Sequence, residues 1–173
     1  MNIRQEIQDD YAVTENLIQE AFLNAEFSNH KEHILVHKLR YTEAFVPQLS
    51  LIAELDNHIA GHILFTKVKI EGRITKDSLV LAPLSVLPKV QRQGIGSRLL
   101  KYGMEKAKEL GFESVIVLGH PQYYKKFGFM NASRWNVKCP FDVPDDVFMA
   151  LELKRYALND AAGIVRYPSV FTE

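Results

Sequence analysis

Residues Leu79–Leu100 read LVLAPLSVLPKVQRQGIGSRLL, and the order of their parts decides the fold. Leu79 to Val86 is an almost unbroken apolar run, the pattern of a strand buried on both faces. Pro88 has no N–H to give to a ladder and ends that strand. Gln91-Arg92-Gln93-Gly94-Ile95-Gly96 then leads into a helix, because Ile95, Leu99, Gly103, Ala107 and Leu110 recur at helical spacing. Glycines at a helix start let the backbone come close to a ligand. The first helical amides have no internal partner, and with the helix dipole they favour an anion, best a phosphate. The junction therefore suits a phosphate-bearing ligand. A glycine-rich helix start with no ligand is the alternative that the glycines alone leave open.

Two common phosphate loops do not fit. A Walker loop needs Gly, four residues, then Gly-Lys-Ser/Thr, and no stretch has that form. A dinucleotide fingerprint needs a third glycine, where Leu99 stands.

Composition narrows the classes further. A chain of 173 residues with 47% hydrophobic and 24% charged residues has the size and balance of one globular domain, spanning residues 1–173. Lys+Arg and Asp+Glu both number 21, and a neutral chain lacks the basic excess of a nucleic-acid binder. One cysteine forms no internal disulfide, which points to a reducing, cytoplasmic compartment. The N-terminus MNIRQE has no apolar signal core. No apolar run approaches the roughly 18 residues of a membrane span. Six histidines and one cysteine show no metal-ligand spacing, so no metal is expected.

Working outward from the central stretch, Asn2 to Ile7 reads as a strand. A helix follows to about Asn24, with Asp9-Asp10 as its cap and Leu17, Ile18, Ala21 and Phe22 on its apolar face. A second helix covers about Lys31 to Phe45, closed by Pro47. Gln48 to Leu55, the turn Asp56-Asn57 and His58 to Ile70 read as a hairpin, and Lys76 to Val86 is a further strand. Glu113 to Leu118 is a short apolar strand. After a helix, it should run parallel to the strand ending at Val86 and diverge from it at the carboxyl ends. A short helix at Gln122 to Phe127, an irregular connection over 132–146, and strands at Val147 to Leu153 and Ile164 to Tyr167 complete the chain. The fold class is α+β: a mixed, mostly antiparallel sheet with helices on both faces and a parallel, splayed central strand pair.

Val86, Pro88, Gln91-x-x-Gly94-x-Gly96 and Leu99-Leu100 together resemble motif A of the GNAT N-acetyltransferase superfamily. Leu118-Gly119-His120-Pro121-Gln122-Tyr123-Tyr124-Lys125-Lys126-Phe127-Gly128-Phe129 resembles its motif B, which ends in Tyr-x-x-x-Gly-Phe. Both occur in the right order, and the likeness, greatest to the YhbS-type branch, covers nearly the whole chain. It implies a GNAT-like fold and an acetyl-CoA-dependent N-acetyltransferase acting on a primary amine of a small molecule or a protein. A CoA-binding sensor without transfer, or the same fold using a longer acyl-CoA, are the alternatives. Homodimers are frequent in the family, so a homodimer is a further implication.

The resemblance also implies roles. The amides of Gln91, Arg92, Gln93, Gly94, Ile95, Gly96 and Ser97 hold the pyrophosphate, with Arg92, Lys89 and Arg98 available to the remaining charge. Leu84 and Val86 pair with the pantetheine arm like an added strand, opened by a bulge near Leu84-Ser85. Tyr124 is the proton donor to the leaving thiolate; a phenol with a pKa near ~10 is protonated at neutral pH. Tyr123 reads as packing. His120 lies near the expected acetyl position, as general base or as a lining residue. Cys139 lacks a nucleophile signature. Asp142, Asp145 and Asp146 read as a solvated loop, with attraction of a cationic amine as the alternative. The acceptor pocket falls to the loops Asn24 to His30 and Ala132 to Asp146. One departure stands out: Val117 occupies the position where many members carry an Asn that bonds the cofactor arm.

Overall fold

The computed structural model describes residues Met1–Glu173. Four strands run antiparallel in chain order: β1 (Asn2–Gln5), β2 (Phe45–Leu55), β3 (His58–Gly72) and β4 (Thr75–Val86). Helices α1 (Tyr11–Phe22) and α2 (Glu32–Leu39) lie between the first two. Helix α3 (Ile95–Glu109) follows β4, and β5 (Ser114–Leu118) pairs parallel to β4 through Leu79↔Val115, Val80↔Ile116 and Leu81↔Val117. The short helix α4 (Pro121–Tyr124) leads to β6 (Met130–Asn131), β7 (Val137–Lys138), β8 (Phe148–Glu152) and β9 (Gly163–Arg166). The sheet order is β1-β2-β3-β4-β5-β8-β6, with β9 added to the far half of β3 and β7 parallel to β9. The mixed, mostly antiparallel sheet and its central parallel pair are as expected from the sequence.

Burial on both faces explains the apolar stretches in the middle of β3, from Leu79 in β4 and through β5. Phe65, Leu79, Leu81, Val115 and Val117 pack with Ile95, Leu99 and Leu100 of α3. Leu64, next to Phe65, packs instead with Leu17 and Ile18 of α1 and Val36 and Leu39 of α2. Val80 and Ile116 join Val68, Ile70 and Ala150 in a third cluster. Helices therefore cover both faces, and each fully buried aliphatic or aromatic side chain contributes about 1.5–3 kcal/mol.

The β4–β5 pairing stops at Leu81↔Val117, while β4 continues to Val86. The last residues of β4 therefore have no partner on the β5 side, which is the expected splay. The bulge lies slightly earlier than expected. Between Ile63↔Leu84 and Phe65↔Leu81 the extra residue falls on β4, at Ala82-Pro83 rather than at Leu84-Ser85. Pro83 has no N–H, so a bulge there costs no ladder bond.

Three other expectations are corrected. α2 ends at Leu39 rather than near Phe45; the Thr42 hydroxyl donates to the Leu39 carbonyl at 2.8 Å in the turn that stops it. Pro47 does not close a helix but sits inside β2, where the register with β3 breaks between Phe45 and Ser50 and no ladder bond is needed. Asp10 precedes α1 without capping it through its side chain. Its carboxylate instead accepts the Ile7 N–H at 2.9 Å and a two-pronged bond from Arg4, which holds its pKa below the usual range.

Candidate active site

The loop after β4 is built to leave amides free. Leu87 N–H donates to the Ala60 carbonyl, and a single turn of 3₁₀ helix covers Pro88–Val90. Gln91 Nε2 donates to the Val86 carbonyl at 3.0 Å and ties the loop back to the strand end. Arg92 (φ 62°) and Gly94 (φ 84°) both lie in the left-handed region. For Gly94 this costs nothing, whereas Arg92 sits in a conformation that a residue with a Cβ rarely adopts. The first bond of α3 runs from Arg98 N–H to the Gly94 carbonyl at 3.1 Å. The N–H groups of Gln93, Gly94, Ile95, Gly96 and Ser97 donate to no backbone carbonyl. Alternating left- and right-handed residues turn such amides inward into a concave anion seat. Space matters at Gly96, where an added Cβ would come within 3.2 Å of the Tyr123 hydroxyl and 3.6 Å of Val86.

Tyr124 ends the short helix beyond β5. Its ring meets Tyr123 edge-on at 5.0 Å and Phe129 at 5.6 Å, and it is buried. Gly119 makes room for it, since a Cβ there would lie 2.6 Å from Tyr124 Cε2. Burial, and to a lesser degree Tyr123, push the Tyr124 phenol above its ordinary pKa. His120 begins the same turn, with its backbone carbonyl accepting from Tyr123 and Tyr124, and its side chain is exposed.

One cleft of about 490 Å³ joins these parts. Its α3 wall holds Gln91, Arg92, Gly94, Ile95, Gly96 and Ser97, and its floor holds Leu84, Ser85 and Val86. His120, Tyr123 and Tyr124 close one side, and Ala21, Phe22 and Ala25 from the end of α1 close the other. Of the loop residues Gln91 to Ser97, Gln93 is not in the wall. The α1 residues and Ser85 were not singled out from the sequence. Ala21 and Phe22 look like ordinary helix-face positions there, but Ser85 carried a signal, as the only polar residue in the run Leu79–Val86. Of the two loops assigned to an acceptor, Asn24 to His30 reaches the cleft through Ala25, and Ala132 to Asp146 does not.

The remaining candidates fall elsewhere. Lys89 and Arg98 are exposed and outside the cleft; Lys89 borders a hollow of about 250 Å³ at the β2–β3 turn. Cys139 is half-buried, and burial raises its thiol pKa, the opposite of an activated nucleophile. Asp145 is occupied as an acceptor from Asn131 and Ser133. Val117 is buried in the core beneath α3 and offers the cleft nothing polar.

Comparison with known proteins agrees with this geometry. A family model described as the acetyltransferase (GNAT) family matches residues 11–129. This chain belongs to the GNAT acetyltransferase family. Among its GNAT relatives, the N-acetyltransferase YjhQ of Escherichia coli K12 is 37% identical over 122 residues, 69% of this chain and 67% of that one. The E. coli N-acetyltransferase YhbS is 31% identical over 153 residues, 88% of this chain and 90% of that one. The crystal structure of E. coli YhbS in complex with CoA superposes with a TM-score of 0.89, covering 99% of this chain and 92% of that one. A GNAT family acetyltransferase from Brucella melitensis in complex with acetyl-CoA, 32% identical, superposes with a TM-score of 0.81, covering 98% and 97%. This chain thus has the GNAT fold and is an N-acetyltransferase by family.

Proposed function

We propose that this GNAT domain, residues 1–173, binds acetyl-CoA in the cleft and transfers its acetyl group to a primary amine by direct attack on the thioester. The observation that carries this reading is the meeting, in one cleft, of free amides at the start of α3, the end of β4 left open on its β5 side, and the Tyr124 phenol. The solved complexes of two relatives with CoA and acetyl-CoA support the choice of donor. The free amides from Gln93 to Ser97 hold the pyrophosphate, Arg92 meets its remaining charge, and Gln91, whose N–H goes to the Pro88 carbonyl and whose side chain goes to Val86, braces the loop. The pantetheine arm lies along β4 at Leu84 and Val86, as an added strand in the splay.

The neutral acceptor amine attacks the thioester carbonyl, the C–N bond forms, the C–S bond breaks, and the nitrogen sheds one proton to solvent, from which Tyr124 is later reprotonated. Tyr124, kept protonated at neutral pH by its burial, gives its proton to the leaving sulfur. His120, exposed at the cleft edge, lines the approach of the acceptor. The acceptor is a small-molecule or protein amine that reaches the cleft past the end of α1.

The test is release of CoA from acetyl-CoA with a panel of primary amines, for the wild-type protein and for Tyr124→Phe. The wild type should release CoA with at least one amine. Tyr124→Phe keeps the ring and its packing but loses the donor, so its single-turnover rate should fall roughly 10²-fold. Acetyl-CoA affinity should change little, because the hydroxyl acts mainly in the transition state. A variant as fast as wild type would remove Tyr124 from the chemistry. A protein that binds acetyl-CoA but releases CoA with no amine would be a sensor and not a transferase.

A further inference from the structure

The Tyr123 ring packs, as its place in the sequence implies, but its hydroxyl takes no part in that packing. Tyr123 is half-buried and lines the cleft beside Tyr124. Its ring meets Tyr124 edge-on at 5.0 Å and lies tilted against Phe127 at 5.2 Å. Tyr124 is itself seated against Gly119, where a Cβ would lie 2.6 Å from its Cε2. Pro121 starts the turn, and the N–H groups of Tyr123 and Tyr124 both donate to the His120 carbonyl. Backbone and ring are both fixed, so the position of the hydroxyl is fixed with them.

That position is the inner side of the first turn of α3. A Cβ built on Gly96 would meet the Tyr123 hydroxyl at 3.2 Å, Val86 Cγ2 at 3.6 Å and Leu84 Cδ2 at 3.8 Å. The hydroxyl therefore stands where the free amides of the loop come closest to the open end of β4. It is not sealed in the core, as the Tyr167 hydroxyl is. Its neighbours on the β4 side are apolar, and the unpaired backbone groups on the α3 side are N–H donors. A phenol O–H beside several N–H groups makes a convergence of donors. An oxygen-rich anion satisfies such a set, and hydrogen bonds to a charged acceptor are the strong ones.

We propose that Tyr123 holds the cofactor directly, its O–H donating to the phosphate that carries the pantetheine arm. The inference rests on the acetyl-CoA reading and adds a side-chain donor to a seat otherwise built of backbone amides. The choice of phosphate follows from the place. The arm lies on Leu84 and Val86, the pyrophosphate on the amides, and the hydroxyl stands at their junction. The ring is already held by Tyr124 and Phe127, so binding orders little that is not ordered before it. Gly96 then serves twice, giving the ligand access to the backbone and giving the hydroxyl its room.

Tyr123→Phe removes a hydroxyl that the packing does not use and keeps the ring against Tyr124 and Phe127. Its melting temperature without ligand should match that of the wild type. The Kd for CoA and for acetyl-CoA should rise about 10-fold, the scale of one hydrogen bond to a charged group. In phosphorus NMR of the protein saturated with CoA, the signal of the phosphate bearing pantetheine should move in the variant, while that of the phosphate bearing adenosine stays. Wild-type affinity in Tyr123→Phe, or an unmoved pantetheine-side signal, would overturn the proposal and leave the transferase reading as it stands. The expected pattern in a protein that acetylates no amine would overturn transfer and support the place of Tyr123. A wild type that does not bind acetyl-CoA would overturn both.

Discussion

His62 shows what one residue contributes to the whole. Its ring is fully buried, and desolvation outweighs the attraction of Glu6. The folded-state pKa is about 4, against 6.5 for an ordinary histidine. Between those values the unfolded chain binds a proton that the folded chain refuses, so stability rises with pH across this window and is lost as pH falls through it. The slope is at most about 1.4 kcal/mol per pH unit. Urea unfolding between roughly pH 6.5 and 4 should show it. His62→Gln, which keeps an N–H for Ser50, should flatten the slope. A slope unchanged in that variant would mean that another group carries it. Asp10 and Glu54 are also lowered, by hydrogen bonds from Arg4, and the stability they contribute is lost only as pH falls below the ordinary carboxylate range.

At the scale of elements, the packing of α3 on the sheet is set by a small residue. Gly103 lies over Phe65, and a Cβ there would come within 2.3 Å of the fully buried ring. Gly103→Ala gains about 1 kcal/mol of helix propensity but overpacks the core, which typically costs about 1–3 kcal/mol. Because the ring has no room to withdraw, the cost should exceed the gain and leave the variant less stable by up to about 2 kcal/mol in urea unfolding. A stabilised variant would show that the helix can rise off the sheet at little cost.

Elements of this kind were largely legible in the sequence. The apolar run Leu79–Val86 and the spacing of Ile95, Leu99, Gly103 and Ala107 carry β4 and α3, because burial on both faces and the helical repeat leave direct traces. The end of α2 was not legible. It depends on a Thr42 side-chain bond and on Phe45 pairing with Thr66, and neither enters a periodicity. The glycine loop and the Tyr124 turn were read from short motifs, and the structure brings them into one cleft. The α1 wall comes from tertiary packing between distant segments, which a single sequence does not display.

For the molecule as a whole, the account is one of two walls around the open end of β4. The α3 wall carries free amides, the end of α1 forms the facing wall, and Tyr124 stands at the side between them; in the proposed reading the amides take the pyrophosphate. The most direct test is the melting temperature of the wild-type protein and of Gly96→Asp, each with and without acetyl-CoA. A ligand that binds only the folded state at ~100 times its Kd adds about 2.7 kcal/mol. In a domain of this size that is roughly 5–10 °C. Aspartate at Gly96 adds bulk toward Tyr123 and Val86 and sets a carboxylate among the amides, so the shift should vanish while the fold persists. A Gly96→Asp protein that folds and keeps the full acetyl-CoA shift would contradict the placement of the cofactor on this loop.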